Sequence, residues 1–131
     1  MNKEKNCQQR VKKQWKSRRE DFKILIKAYQ NGEPDKELGE LNDYGLCLDF
    51  IEPGTFEHQR AGYLRYQLST GGPGDEIRVY QNGDMEYWFL DWFDGACVDI
   101  TSNKVAQDLL KILLEWDTPG SRGFKITTLA F

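Results

Sequence analysis

Between residues 69 and 100 the chain reads STGGPGDEIRVYQNGDMEYWFLDWFDGACVDI, and this stretch restricts the fold more than any other. Gly71 to Glu76 is an unbroken run of glycine, proline and carboxylate, and Asn82-Gly83 separates two strand-like runs. Asn-Gly in that setting is a strong hairpin signal, because a primed turn matches the right-handed twist of paired strands. The stretch specifies a sheet. It specifies no reaction, since no nucleophile–base pair, metal-ligand spacing or phosphate loop accompanies it.

The flanking segments supply helices and further strands. Residues 5–30 hold neither Pro nor Gly, and Val11, Trp15, Phe22, Leu25, Ile26 and Tyr29 recur at helical spacing as one apolar stripe. Asn31-Gly32 and Pro34 stop that helix. In the polar, acidic stretch 33–43, only Leu38 and Leu41 offer apolar anchors for a short turn. The pattern predicts strands over 44–51, 62–69, 76–80, 85–92 and 96–100. In the first, Leu46, Leu48 and Phe50 share a face; in the second, Leu64, Tyr66 and Leu68 alternate with Tyr63, Arg65 and Gln67. A second helix, capped by Thr101 or Ser102, carries Val105, Leu109, Ile112, Leu113 and Trp116 on one face and ends at Thr118-Pro119-Gly120. Residues 124–129 are β-prone and suit a final strand or a docked tail. The expected fold is α+β: an antiparallel four- to five-stranded meander with a long N-terminal helix and a C-terminal helix on one face. At 131 residues a single domain over 1–131 is expected, with residues 1–12 free to project or be disordered.

Charge is divided unevenly along the chain. Residues 1–19 hold eight of the 18 Lys and Arg but one of the 21 Asp and Glu, so a basic arm precedes an acidic body. Such blocks either neutralise each other within the protein or an oligomer, remain solvated, or meet an oppositely charged partner. Nucleic acid suits the arm; a basic protein suits the body. The polar, basic beginning has no apolar signal-peptide core and no stretch approaches a membrane span, so a cytoplasmic protein without membrane contact is expected. Cys7, Cys47 and Cys97 match neither a disulfide framework nor a zinc site and read as reduced, inert thiols.

Catalytic candidates are sparse. His58 lies in the loop-like segment GTFEHQR and reads as an exposed loop residue rather than a general base. Asp75, Glu76, Asp91, Asp94 and Asp99 fall near strand ends in one hairpin region, where converging oxygens would hold a divalent cation. Asp-x-x-Asp-Gly is also ordinary turn chemistry, and that is the preferred reading. Glu76 and Arg78, two apart in a strand, share a face and suit an ion pair. The glycines of 71–74 precede a strand and two carboxylates, which opposes phosphate binding and favours a rigid exposed turn. Rings on both faces at Tyr87, Trp88, Phe89, Trp92 and Phe93 imply that one face is core and the other is either covered by a helix or left open as a protein-binding surface.

The string YLRYQLSTGGPGDEIRVY followed by EYWFLDWFDGA, covering residues 63–96 apart from the turn between, resembles a family of small bacteriophage and mobile-element proteins. By association, the resemblance implies an inhibitor of host defence of the anti-CRISPR or anti-restriction type, acting in the bacterial cytoplasm. It would be a non-enzymatic binder that occupies a nucleic-acid or protein interface of a host protein or ribonucleoprotein complex. The expected contacts are Asp75, Glu76, Arg78, Asp91 and Asp94 on the acidic hairpin and Lys12, Lys13, Arg18 and Arg19 on the basic helix, with no cofactor, metal or catalytic residue. A homo-oligomer stays open. The alternative is a small divalent-metal-dependent enzyme acting on nucleic acid or nucleotide through the hairpin carboxylates.

Overall fold

The structure, a computed structural model, describes residues 3–71, 73–91 and 94–116, with side chains from Gln8 onward in the first helix and from Gly95 onward in the last strand. Helix α1 spans Lys3–Asn31 and a single turn, α2, spans Leu41–Tyr44. Five strands follow: β1 Cys47–Ile51, β2 Tyr63–Ser69, β3 Gly74–Tyr80, β4 Met85–Asp91 and β5 Asp94–Asp99; helix α3, Lys104–Glu115, comes last. Each strand pairs antiparallel with its predecessor, giving the order β1-β2-β3-β4-β5. The molecule is therefore the α+β meander with two helices that the sequence predicts. The expected tail strand at 124–129 lies outside the described residues.

Alternation decides which residues form the core. Tyr66, Ile77, Tyr87 and Val98 stand opposite one another across four strands, and helices α1 and α3 cover this face with Val11, Trp15, Phe22, Leu25, Leu109 and Leu113. Helix α1 lies over β4 and β5 and against α3. Its stop is a Schellman motif: Glu33 N donates to Ala28 O at 3.1 Å, Gly32 N donates to Tyr29 O at 3.2 Å, and Gly32 takes φ +73°. Tyr29, placed on the buried stripe by its spacing, is instead 40% exposed on the final turn. Val11 is fully buried, so the helix already lies against the body there.

Several local expectations are corrected. Leu41 is buried as the anchor of α2, but that turn takes up Leu41–Tyr44, so β1 begins only at Cys47 and Leu46 is left 57% exposed. Cys47 is exposed rather than buried. Helix α3 is capped by Asn103, whose side chain accepts from Ala106 N at 3.1 Å. Thr101 is occupied elsewhere, taking Met85 N at 3.0 Å and donating to Asp99. At the Asn82-Gly83 hairpin Gly83 takes φ +95° while Asn82 does not enter the positive region, and Gly83 N donates to Tyr80 O at 3.0 Å. A primed turn needs positive φ at Asn82 as well, so the connection is instead a turn over 80–83 closed by a left-handed glycine.

Candidate functional site

The charged residues singled out by sequence divide among three places. The first lies between α1 and the sheet. The apolar stripe of α1 skips a turn between Trp15 and Phe22, and Arg18 fills that inward position. Opposite it, Asp75 shares the face of Ile77 and Val79 and is only 2% exposed. The pair is bidentate, with Nε to Oδ2 at 2.7 Å and Nη2 to Oδ1 at 3.0 Å. Tyr87 and Ser69 donate to the same carboxylate, Arg18 Nη1 donates to the Tyr44 hydroxyl at 2.9 Å, and Tyr44 donates to Asp21.

A break in strand register brings Ser69 into this network. The pairing jumps from Gln67↔Glu76 to Ser69↔Asp75, a bulge that turns the Ser69 hydroxyl onto the carboxylate. Gly74 permits it: a Cβ there would lie 2.8 Å from Ser69 O and 3.2 Å from Thr70 Cα. Burial opposes the Arg18 charge, but its bonds to Asp75 and Tyr44 outweigh that, and the guanidinium is held above its usual value. Burial first, and the bond to Asp75 second, push the Tyr87 hydroxyl far up. A fully partnered carboxylate beneath a helix is a fastening.

Arg10 makes a second fastening at the β4 end. It meets Asp91 at 2.6 Å and lies 4.6 Å from the Phe89 ring centroid. Asp91 and Asp94 face each other as the last pair of the β4–β5 hairpin, on either side of its turn as DWFDG predicts. The sequence offers Asp75 and Glu76 as partner contacts on an acidic hairpin. They are corrected to 2% and 4% exposed on opposite faces of the sheet. Among the described residues no three His, Cys, Asp or Glu side chains are grouped to hold a metal ion. Arg18, expected as a partner contact on the basic helix, is instead turned to the sheet and spent on Asp75, with its side chain 18% exposed.

The second place is the outer side of α1. Lys12, Lys16, Arg19, Lys23 and Lys27 are spaced at 4, 3, 4 and 4 residues, so at about 100° per residue they fall within an arc of about 80°. The four lysines are exposed, and Lys12, Lys16 and Lys27 have no ion-pair partner among the described residues. Glu20 lies beside the row, 3.3 Å from Lys23 Nζ and 3.9 Å from Arg19 Nη2. Lys13 diverges from the row and, with Arg10, Ser17 and Ser69, lines a polar cleft of about 500 Å³ between α1 and β3.

The third place is the sheet face turned away from the helices. Register sets Asp49, Arg65, Arg78, Glu86 and Asp99 in one row across all five strands. Arg65 grips Asp49 at 3.0 and 2.8 Å, and Arg78 meets Glu76 at 2.7 Å, the same-face pair that the sequence predicts. The Arg78 guanidinium lies 4.1 Å from the Trp88 ring centroid and 4.8 Å from that of Tyr63. Tyr80 and Trp88 both donate to Glu86 Oε1, at 2.8 and 3.0 Å. Cys47 and Cys97 stand at opposite edges of this face, and burial first raises both thiols. That disfavours the thiolate. His58 is an exposed loop residue as expected, at 89% side-chain exposure.

Spacing alone missed Tyr44, Ser69 and Tyr87 as partners of the buried pair, and Asp21 behind Tyr44. The available signal was the gap in the α1 stripe at Arg18, since an inward arginine requires an acid. Compared with known proteins, the chain matches no family model, no curated protein and no solved structure.

Proposed function

We propose that the protein is a non-enzymatic binding protein that inhibits a host defence nuclease complex, of the anti-CRISPR or anti-restriction type, by laying the outer side of α1 along a phosphate backbone held in that complex. One observation carries the reading: four exposed lysines and the partly buried Arg19 stand in a single row along one flank of a helix whose apolar stripe packs on the body. From Lys12 to Lys27 the row is about 22 Å long at about 1.5 Å per residue, which faces about six phosphates spaced about 3.4 Å apart on one strand. The contact is thus the reverse of an acidic hairpin entering a basic channel. Asp75, Glu76 and Asp91 have their cations inside the molecule, which supports binding by the helix rather than through these carboxylates.

Affinity capture from host lysate tests this with two baits, the native protein and Lys12→Glu/Lys16→Glu/Lys23→Glu/Lys27→Glu. A nuclease complex retained by the native bait, released by salt and absent from the reversed bait is the expected result. The same complex on both baits would sink the reading.

A further inference from the structure

We infer that the groove between the C-terminal half of α1 and residues 33–38 docks a protein partner through a short segment in which cationic side chains flank apolar ones. The Schellman stop turns the chain back at Gly32, and Pro34 then lines two adjoining clefts beside the helix, of about 500 and 260 Å³, which share Ile24, Pro34 and Asp35. The far wall is tied in place. Asp35 and Gly39 exchange backbone bonds at 2.8 and 3.0 Å, and the Asp35 carboxylate accepts from Glu37 N and Leu38 N at 3.0 and 2.9 Å. Between the walls Ile24 is left 46% exposed. From Asp21 to Asn31 the groove runs about 15 Å at about 1.5 Å per residue, the span of about four to five extended residues at about 3.3 Å each.

Charge decides what covers that aliphatic floor. Residues 33–43 hold five carboxylates against one lysine. Glu33, Glu37 and Glu40 are exposed, and their carboxylates have no hydrogen bond or ion pair among the described residues. Asp35 stays ionised, because its backbone bonds hold the carboxyl below its usual value. Asp21 accepts from the neutral Tyr44 hydroxyl and keeps its charge. Within the groove Asp21, Glu33, Asp35 and Glu37 therefore outnumber Lys27 and Lys36. The last turn of α1 carries no basic residue, so the negative end of the helix dipole adds to the same sign. Nucleic acid is repelled here. A metal ion would need grouped oxygens, and among the described residues no such group exists. Spread carboxylates around an exposed isoleucine match spaced cations with apolar side chains between them.

Fluorescence anisotropy with the labelled hexapeptides KLKKLK and KSKKSK, equal in charge, tests the groove. Native protein should bind KLKKLK about tenfold more tightly than KSKKSK, and Ile24→Gln should remove that difference. Glu33→Lys/Glu37→Lys should weaken both peptides about tenfold. Glu57→Lys/Glu115→Lys, the same change of charge away from the groove, should weaken neither. All five side chains are exposed, so native melting midpoints are expected. Lys12→Gln/Lys16→Gln should bind both peptides at least as tightly as native protein, so the groove and the lysine row stand or fall separately. The proposal is overturned if native protein binds neither peptide at millimolar concentration, or binds the two equally, or if the two charge reversals weaken binding alike. Spermidine binding as tightly as KLKKLK would make the occupant a polyamine and also overturn it. So would a native dimer, seen by sedimentation, that Glu33→Lys/Glu37→Lys splits into monomers, since a second copy would then fill the groove.

Discussion

At the scale of single residues, the side chains under α1 define the cost of disturbing the molecule. A buried ion pair gives little net stability, yet removing one partner leaves an uncompensated buried charge and costs about 3–5 kcal/mol. Arg18→Ala should therefore lower unfolding free energy by about that much in a urea titration, and Arg18→Met/Asp75→Leu should recover much of it. A native midpoint for Arg18→Ala would show that the pair bears no load. The tyrosines add a pH dependence. Burial, reinforced by bonds to Asp21 and Glu86 respectively, pushes Tyr44 and Tyr80 up to about 12, and burial raises Tyr66 to about 12. Unfolded tyrosine titrates near about 10. The folded protein thus keeps protons that the unfolded chain gives up. This contribution is complete below about pH 10 and lost as pH rises through about 12. Tyrosinate absorbance should lag behind that of denatured protein on alkaline titration while urea midpoints fall. Coincident titration curves with native circular dichroism would contradict these assignments.

At the scale of elements, periodicity is most informative where one face is dry. Residues 63–68 and the stripe on α3 were legible because apolar and polar positions alternate or recur without interruption. Leu113, fully buried in α3, should cost about 2–5 kcal/mol on truncation to Ala. The Asn103 cap should cost about 0.5–2 kcal/mol as Asn103→Ala. Trp116 lies at the helix end and is only partly buried, so Trp116→Ala should cost less than Leu113→Ala. Equal thermal shifts for the two truncations would contradict the docking of α3 by its middle turns. What stayed illegible was set by contacts between distant segments. The Ser69 bulge depends on Gly74 meeting Ser69 O, and the cap passed from Thr101 to Asn103 because Met85 and Asp99 claim the Thr101 hydroxyl. The open-face ion pair was readable from Glu76 and Arg78 two apart, but its stacking between Tyr63 and Trp88 required cross-strand register.

At the scale of the whole molecule, the uneven distribution of charge in the sequence becomes a division of labour around α1. Arg10 and Arg18 neutralise Asp91 and Asp75 within the fold, so part of the basic arm serves the acidic body directly. Among the described residues the exposed lysines of the row serve no such pairing, apart from Lys23 with Glu20. A backbone-binding surface of this kind is revealed by its salt dependence, because each neutralised phosphate releases counterions. The decisive measurement is the affinity for fluorescein-labelled duplex DNA over a series of salt concentrations, for native protein and Lys12→Gln/Lys16→Gln/Lys23→Gln/Lys27→Gln. Log affinity should fall steeply with log salt for the native protein and less steeply for the variant, by about 3 to 4 in slope at about 0.9 per contact. An identical slope and affinity in the two proteins would contradict the assignment of the α1 row as the contact surface.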